Sequence, residues 1–417
     1  MHEPDTATAD CSTDGKIPTV EAVHLESLVV TSLVAEEVPR LSTNASTRSV
    51  PNNLPAVDVA DLDWASVAKR VDQPAMRTRM RMIVEAIEVI LDQEELPLLF
   101  ARRTGDRTDL APEVDEPDLV EPLWFIGDLH GDWLALEAAL ELINRVDNGA
   151  PWRIVFLGDL FDDGGYRLET LLRVFELVVE YPDRICVLAG NHDEALSYDG
   201  IRFGSSTNPS DFSEFLNDHL VHEWIERAGK ATVRFFATAP RALFFPDGLL
   251  AAHGGFPLAD LHPFLRETRD WNDPACLADF IWTRAHPTAR RKLPNRYSRG
   301  SQYGYEDFSE FCNLAHELGR PITHMVRGHD HVEERYALYP AYEETPVLTT
   351  VALSRRLQRE MSGPQTRNPT IARYNSGALP QVYRLLIPAE IVNELYSAET
   401  EVSEPFRTTM LEGEAKP

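Results

Sequence analysis

The sequence predicts an α/β fold built on parallel strands whose carboxyl ends carry polar side chains. Two observations predict it. The segments LWFIGDLHGD, IVFLGDLFDDGG and CVLAGNHDE succeed one another at intervals of about thirty residues. In each, an apolar run stops at a glycine, and the next residue is an oxygen-ligand type: Asp128, Asp159 and Asn191. Near-continuous apolar runs are the mark of strands buried on both faces, and open α/β sheets place their sites at the strand carboxyl ends. The second observation is that two later runs end the same way, LLAAHGG at His253 and HMVRGHDH at His329 and His331.

Between the first three strands lie WLALEAALELINRV and RLETLLRVFELVVEYP, each with apolar residues at helical spacing. The order strand–helix–strand–helix–strand is a βαβαβ unit with one site loop per strand end. Upstream, residues 1–60 are rich in Thr, Ser, Ala, Asp and Glu and read as a largely disordered extension, in which EAVHLESLVVTSLVAEEV has some apolar character. WASVAKRV and RMRMIVEAIEVILDQEEL predict amphipathic helices, and RRTGDRTDLAPEVDEPDLVEP a linker; together they make residues 61–120 a helical accessory segment packed on the main domain. Downstream, DFSEFLNDHLVHEWIERAG reads as a helical insertion that walls the site, and DPACLADFIWTRAHP and GYEDFSEFCNLAHELG as further helices. PVLTTVAL and ARYNSGALPQVYRLLI read as strands, so the main domain spans 121–390 and 391–417 form an acidic tail.

The 417 residues carry a formal net charge of -27, which argues against a nucleic-acid or anionic-membrane binder. A phosphorylated substrate is compatible with this balance, since bound divalent ions supply local positive charge. Cys11, Cys186, Cys276 and Cys312 are scattered without CxxC spacing and read as free thiols. With no secretory pattern and no apolar stretch of membrane-spanning length, a cytoplasmic protein is expected.

A pair of divalent ions needs a bridging ligand and several terminal oxygen or nitrogen ligands. Asp128 and His130, separated by one residue, can face one ion from a single loop, and Asp159 in the neighbouring loop is the natural bridge. Asn191, His253 and His329 would complete the second ion from three further strand ends. Such a donor set suits Mn, Fe, Zn or similar ions without choosing among them.

The motifs Gly127-Asp128-Leu129-His130-Gly131, Gly158-Asp159-Leu160-Phe161-Asp162, Gly190-Asn191-His192-Asp193, His253-Gly254-Gly255 and Arg327-Gly328-His329, in that order, resemble the calcineurin-like metallophosphoesterases. Within them the phosphoprotein (serine/threonine) phosphatase branch is the most similar, over about residues 122–385. The resemblance implies a four-layer αββα sandwich, a dinuclear metal centre with Asp159 and Asn191 among its ligands, and a metal-bridging hydroxide as nucleophile. It makes His192 the general acid and Asp162 the carboxylate that orients it. It also implies that Arg299, before Gly300 in SRGSQYGYEDFSEF, reaches substrate phosphate, with Asn191 nearby. The partner is then a phosphorylated protein or small phosphoester.

Three features depart from the branch. Asp162-Asp163-Gly164 stands where the branch has Asp-Arg-Gly, so a cation is replaced by an anion; either Arg167, Arg202 or a residue of the 284–299 loop compensates, or the substrate differs. His331, two residues after His329, resembles the extra histidine ligand of the phosphodiesterase branch. The aromatic-bearing loop usual after the last site strand is not evident beyond Val351. A phosphodiesterase or dinucleoside polyphosphate hydrolase is therefore the alternative, and a non-catalytic scaffold the more distant one.

Overall fold

The computed structural model describes residues 56–70, 73–93, 109–114, 121–296, 299–360 and 362–397. The 21–38 segment and the tail beyond Ser397 lie outside the described residues. Strands are numbered along the chain. One six-stranded sheet runs in the order β1 (Val57–Val59), β16 (Gln381–Leu385), β15 (Thr370–Tyr374), β2 (Leu123–Ile126), β3 (Arg153–Phe156) and β4 (Ile185–Val187). A five-stranded sheet runs β13 (Tyr336–Leu338), β14 (Val347–Thr350), β12 (His324–Arg327), β8 (Leu249–Ala252) and β7 (Ala242–Phe244). β2, β3 and β4 are mutually parallel, as are β8, β12 and β14. A hairpin of β5 (Leu196–Tyr198) and β6 (Phe203–Ser205), and a small sheet of β9 (Arg284–Ala285), β10 (Leu293–Pro294) and β11 (Ser301–Tyr303), flank the site.

Alternation along each strand builds the layers, because successive side chains point to opposite faces. Leu123 and Phe125 of β2, Val155 of β3, Ala251 of β8 and Val326 of β12 meet in one core between the two sheets. Trp124, Ile126, Ile154 and Phe156 face outward into a second core made with α1 (Trp64–Arg70), α2 (Gln73–Asp92), α3 (Trp133–Val146), α4 (Arg167–Glu180) and α7 (Glu223–Thr238). Leu250, Ala252 and Met325 face a third, with α8 (His262–Thr268), α9 (Pro274–Trp282) and α10 (Tyr305–Glu317). This is the four-layer αββα sandwich. Each helix that closes a βαβ step starts where the sequence supplies a cap or a break; the Asp132 carboxylate, for example, accepts the Ala135 N–H at 2.9 Å at the start of α3.

The margins differ from the sequence reading. Val57–Val59, placed in the flexible extension, forms the edge of the six-stranded sheet, parallel to β16. Within the supposed linker, Val114 N–H donates to Phe244 O at 2.8 Å, so residues 109–114 dock beside β7. Ala389–Ser397, assigned mostly to the tail, is helix α11, whose Val392 joins the outer core. α2 packs on α4 and α7 through Ile83, Val84 and Ile87, with Arg79 paired to Glu176 at 2.8 Å, which is the packing role expected for it.

His324 opens β12, the strand that delivers His329. Its Nδ1 lies 2.9 Å from Thr323 Oγ1, while its buried Nε2 has no hydrogen-bond partner. Burial pulls the imidazole from 6.5 down to about 4, against a smaller opposing pull from Asp247. Protonation is therefore easier in the unfolded chain, and stability is lost as pH falls from 6.5 towards 4. In His324→Leu the loss of unfolding free energy between pH 7 and 5 should shrink by roughly 2 kcal/mol. Superimposable pH–stability profiles for the two proteins would reject this assignment.

Candidate metal centre

The local sequence explains how the strand ends bring their side chains together. A Cβ on Gly190 would lie 2.2 Å from Asp159 Oδ1, and one on Gly328 would lie 2.2 Å from Asp128 Oδ1. Each glycine therefore lets a neighbouring carboxylate rest on a bare α-carbon, which is why the apolar runs end as they do. Beyond the glycines the chain turns sharply: His130, Asp159, Asp162, Asp163 and His329 all have left-handed backbones, with φ of 41°, 55°, 69°, 62° and 71°. Such residues cost on the order of 1 kcal/mol or more each and cluster at functional sites.

Asp159 sits at the middle. Its Oδ2 is 3.6 Å from His130 Nε2 on one side and 3.3 Å from His253 Nε2 on the other. On the first side, His130 Nε2 also lies 3.9 Å from Asp128 Oδ2. On the second, His253 Nε2 lies 3.2 Å from Asn191 Oδ1 and 3.0 Å from His329 Nδ1. His130 Nδ1 is 3.0 Å from Phe161 O and His253 Nδ1 is 2.8 Å from Leu157 O. Those carbonyls accept the Nδ1 protons and so turn both Nε2 atoms toward the site, the outer-shell arrangement that metal-ligating histidines use.

The donor set fits a divalent cation. It gathers carboxylate, amide and imidazole atoms: Asp128, His130 and His253 are fully buried, and His329 keeps its Nε2 buried without a partner. The electrostatics agree. Burial pushes the Asp159 carboxyl up, but His253 and its other histidine neighbours pull harder and hold it well below the usual carboxylate range. Burial pulls His253 down, yet Asp159 raises it above its ordinary value. The pocket attracts positive charge at the His253 nitrogen, and a proton and a metal ion compete for that lone pair. Burial and then Arg359 hold His130 well below its ordinary value, leaving it a neutral donor.

His331 joins the first group. Its Nε2 is 2.8 Å from Asp128 Oδ2, and its ring meets that of His130 edge-on with centroids 4.9 Å apart. Three donor clusters emerge among the described residues: Asp128, His130 and His331; Asp159, His253 and His329; and His130, Asp163 and His192.

His192, on the first turn of α5 (Asn191–Ala195), stands beside the candidate metal donors, with its ring 5.0 Å from that of His130. Its Nδ1 is 2.8 Å from Asp162 Oδ2, so the carboxylate fixes the tautomer and aims Nε2 at the site. Burial lowers the His192 imidazole, but Asp159 and the Asp162 hydrogen bond outweigh it and leave it raised. Asp162 is itself steadied by the Phe212 N–H at 2.8 Å, and Asp211 caps Asp163 N and Gly164 N, each at 2.9 Å. Phe212 and Asp211 begin α6 (Asp211–Asp218), so the insertion walls the site as its position suggested. Asp193 accepts the N–H groups of Asp159, Leu160 and Gly190 at 2.6, 3.1 and 2.8 Å and so ties two site loops together.

The arginines fall elsewhere than expected. Arg167 pairs with Asp211 at 2.8 Å, and Arg202 is exposed beside Asp199. Arg299 is exposed, with its guanidinium over the Trp282 ring at 5.1 Å. The cation beside Asp163 is Arg359, whose Nη2 lies 2.8 Å from Asp163 Oδ2. It comes from residues 351–360, which with 362–369 make a strap across the strand ends where the sequence showed no aromatic loop. No periodicity or motif marks Arg359 in SRRLQREMSGPQ.

Comparison with known proteins agrees with the geometry. The family described as calcineurin-like phosphoesterase matches residues 121–333. Over 234 residues the chain is 24% identical to the serine/threonine-protein phosphatase 6 catalytic subunit of Caenorhabditis elegans, covering 54% of this chain and 64% of that protein. Over 242 residues it is 24% identical to the PP2A-like serine/threonine-protein phosphatase PPG1 of Candida albicans, covering 56% of this chain and 52% of that protein. The chain thus spans between about half and two thirds of these relatives' length. A solved protein serine/threonine phosphatase from Saccharomyces cerevisiae, described as similar to human phosphatase PP5, superposes with a TM-score of 0.49 at 15% identity, covering 78% of this chain and 90% of that one. With its motifs in order on one αββα sandwich and the match spanning half its length, the chain belongs to the calcineurin-like phosphoesterase family.

Proposed function

We propose that the protein is a metal-dependent phosphoric monoester hydrolase acting on phosphoserine or phosphothreonine in proteins. The observation that carries this is Asp159 Oδ2, which lies between His130 Nε2 and His253 Nε2 at 3.6 and 3.3 Å, the position of a ligand shared by two ions. Asp128, His130 and Asp159 would hold one ion, and Asp159, Asn191, His253 and His329 the other, drawn from Mn, Fe, Zn or similar metals. Bound there, the ions would polarise the phosphoryl group and make water a better nucleophile near neutral pH. The chain supplies the rest. His192 donates a proton from Nε2 to the leaving alcohol, and Asp162 on Nδ1 holds the ring in register and stabilises its charged form. Asn191 can also reach a phosphoryl oxygen from its place at the second ion. Arg299, exposed over the Trp282 ring, would meet the substrate outside the metal pocket.

Among the described residues no helix is long and apolar enough to cross a membrane. Cys276 and Cys312 are buried, with burial pushing each thiol up to about 12, which suits unreactive thiols in a reducing cytoplasm.

The placement of His331 against Asp128 favours one second reading, a phosphodiesterase or dinucleoside polyphosphate hydrolase in which His331 adds a ligand to the first ion. One experiment decides. Metal-loaded protein is assayed side by side on p-nitrophenyl phosphate, phosphopeptides, bis-p-nitrophenyl phosphate and dinucleoside tetraphosphates. Cleavage of the monoesters is expected, and failure on both p-nitrophenyl phosphate and phosphopeptides would sink the monoesterase. Unchanged metal content and diester cleavage in His331→Ala would count against the second reading.

A further inference from the structure

We propose that Arg359 is the cation that grips the phosphoryl oxygens of the substrate, held over the metal centre by Asp163. The inference rests on the phosphoester reading above. A phosphoryl anion entering here meets the carboxylates of Asp128, Asp159, Asp162 and Asp163, so protein cations beside the ions are needed to hold it. The cavity at the strand ends, about 410 Å³, is lined by His329, His331, Glu333 and the arginines Arg284, Arg359 and Arg367, among others. Arg284 is engaged by Asp330 Oδ1 at 2.9 Å and His329 O at 2.8 Å. Arg367 donates to Ser362 O at 3.0 Å and lies 3.8 Å from Glu360. The Arg359 guanidinium points instead at the chemistry: Nη1 is 3.2 Å from His192 Nε2 and Nη2 is 2.8 Å from His130 Nε2.

Those two nitrogens bracket the reacting group. His130 faces the ion that would bind a phosphoryl oxygen, and His192 faces the oxygen that leaves. A planar fork within reach of both nitrogens would meet the non-bridging oxygens: Nη2 is released when an ion takes the His130 lone pair, and Nη1 can pass from His192 to those oxygens as substrate arrives. The side chain is 32% exposed and so open to an incoming anion, whereas that of Asp163 is 2% exposed and fixed.

The strap holds this cation ready. Leu357 is fully buried with Val351 and Leu353. Glu360, next to Arg359, takes the buried Arg335 guanidinium at 2.7 Å, and Arg335 also donates to Arg355 O at 2.6 Å. Arg356 N–H donates to Gln365 O at 2.7 Å, closing the strap on itself. Arg355 reaches down to His130 O at 3.0 Å and Asp163 O at 3.1 Å. Leu357 and Glu360, on either side of Arg359, are thereby anchored, which limits the ordering entropy that anion binding costs. Asp163, an anion in the motif where a cation was expected, thus recruits its cation from 196 residues along the chain, the interval between positions 163 and 359.

The test measures binding of inorganic phosphate to the full, manganese-loaded chain by calorimetry, with metal content and thermal midpoint recorded for each variant. Arg359→Ala should weaken phosphate binding roughly 10- to 100-fold, the range expected when charge-assisted hydrogen bonds are removed. Arg359→Lys should restore only part of it, because a point charge replaces a planar fork. Asp163→Ala, which releases the guanidinium, should weaken binding in the same direction by less. Unchanged or tighter phosphate binding in Arg359→Ala, at wild-type metal content, would overturn the proposal and identify the side chain as a plug over the histidines. Wild-type protein that fails to bind phosphate would overturn it as well. If wild-type protein binds phosphate through Arg359 yet hydrolyses no phosphoester, the inference stands and the enzymatic reading falls. If it hydrolyses them and Arg359→Ala binds phosphate as wild type does, the reverse holds.

Discussion

Asp159→Asn should all but abolish turnover of p-nitrophenyl phosphate and strip at least one ion from the purified protein. The carboxylate faces both histidine groups, so losing its charge weakens both halves of the site together, whereas each other donor serves one half. Asp193→Asn is the informative comparison. Asp193 is no candidate ligand and instead holds the Asp159, Leu160 and Gly190 N–H groups, so its change should cost about 10–100-fold, as outer-shell changes do. Asp159→Asn should exceed that range. Metal analysis beside the kinetics decides: wild-type metal content with undiminished turnover would reject the shared-ligand role.

The second large effect belongs to His192. With Asp162 on Nδ1 and Nε2 facing the site, its removal should slow hydrolysis of phosphoserine peptides by about 10²–10⁴-fold. p-Nitrophenyl phosphate, whose leaving group needs little protonation, should suffer much less, and bound metal should be unchanged. Equal slowing of both substrates would contradict the acid role, whatever its size. Asp162→Asn should give the same pattern in weaker form, since it leaves the imidazole in place and Asp159 still raises it, but removes the carboxylate that orients the ring.

What could be read in the chain depended on how local the physical signal was. At each strand end the apolar run, the glycine and the polar residue are contiguous, because the strand, the close approach and the donor are one structural event. Asp128, Asp159, Asn191, His253 and His329 were legible for that reason, and the structure brings all of them together. The four layers followed from the family resemblance and agree with the alternation of each strand between two cores. Arg359 was illegible because its position is fixed by Arg335, Asp163 and the Arg355–Thr366 bridge, none of which is visible in the residues around it. β1 was missed because three residues carry little pattern and their partner lies in β16, at the far end of the chain. The α11 helix did carry a signal, with Ile391, Val392 and Leu395 on one face after Pro388, but the acidic composition beyond it obscured where the domain ends.

The six-stranded sheet carries a practical consequence for anyone who would shorten this protein. Residues 121–333, the segment the family shares, contain β2, β3 and β4 but not β1, β15 or β16, and they stop before β14, which separates β12 from β13. A fragment cut to that segment would bare β2 along the side now paired with Arg373 and Ile371, and β12 along the side now paired with Leu348. Both would become open edges of four residues with unmatched N–H and C=O groups, and LWFI of β2 is wholly apolar, the arrangement that templates edge-to-edge aggregation. The candidate metal donors would all be present in such a fragment, on sheets that could no longer stay single.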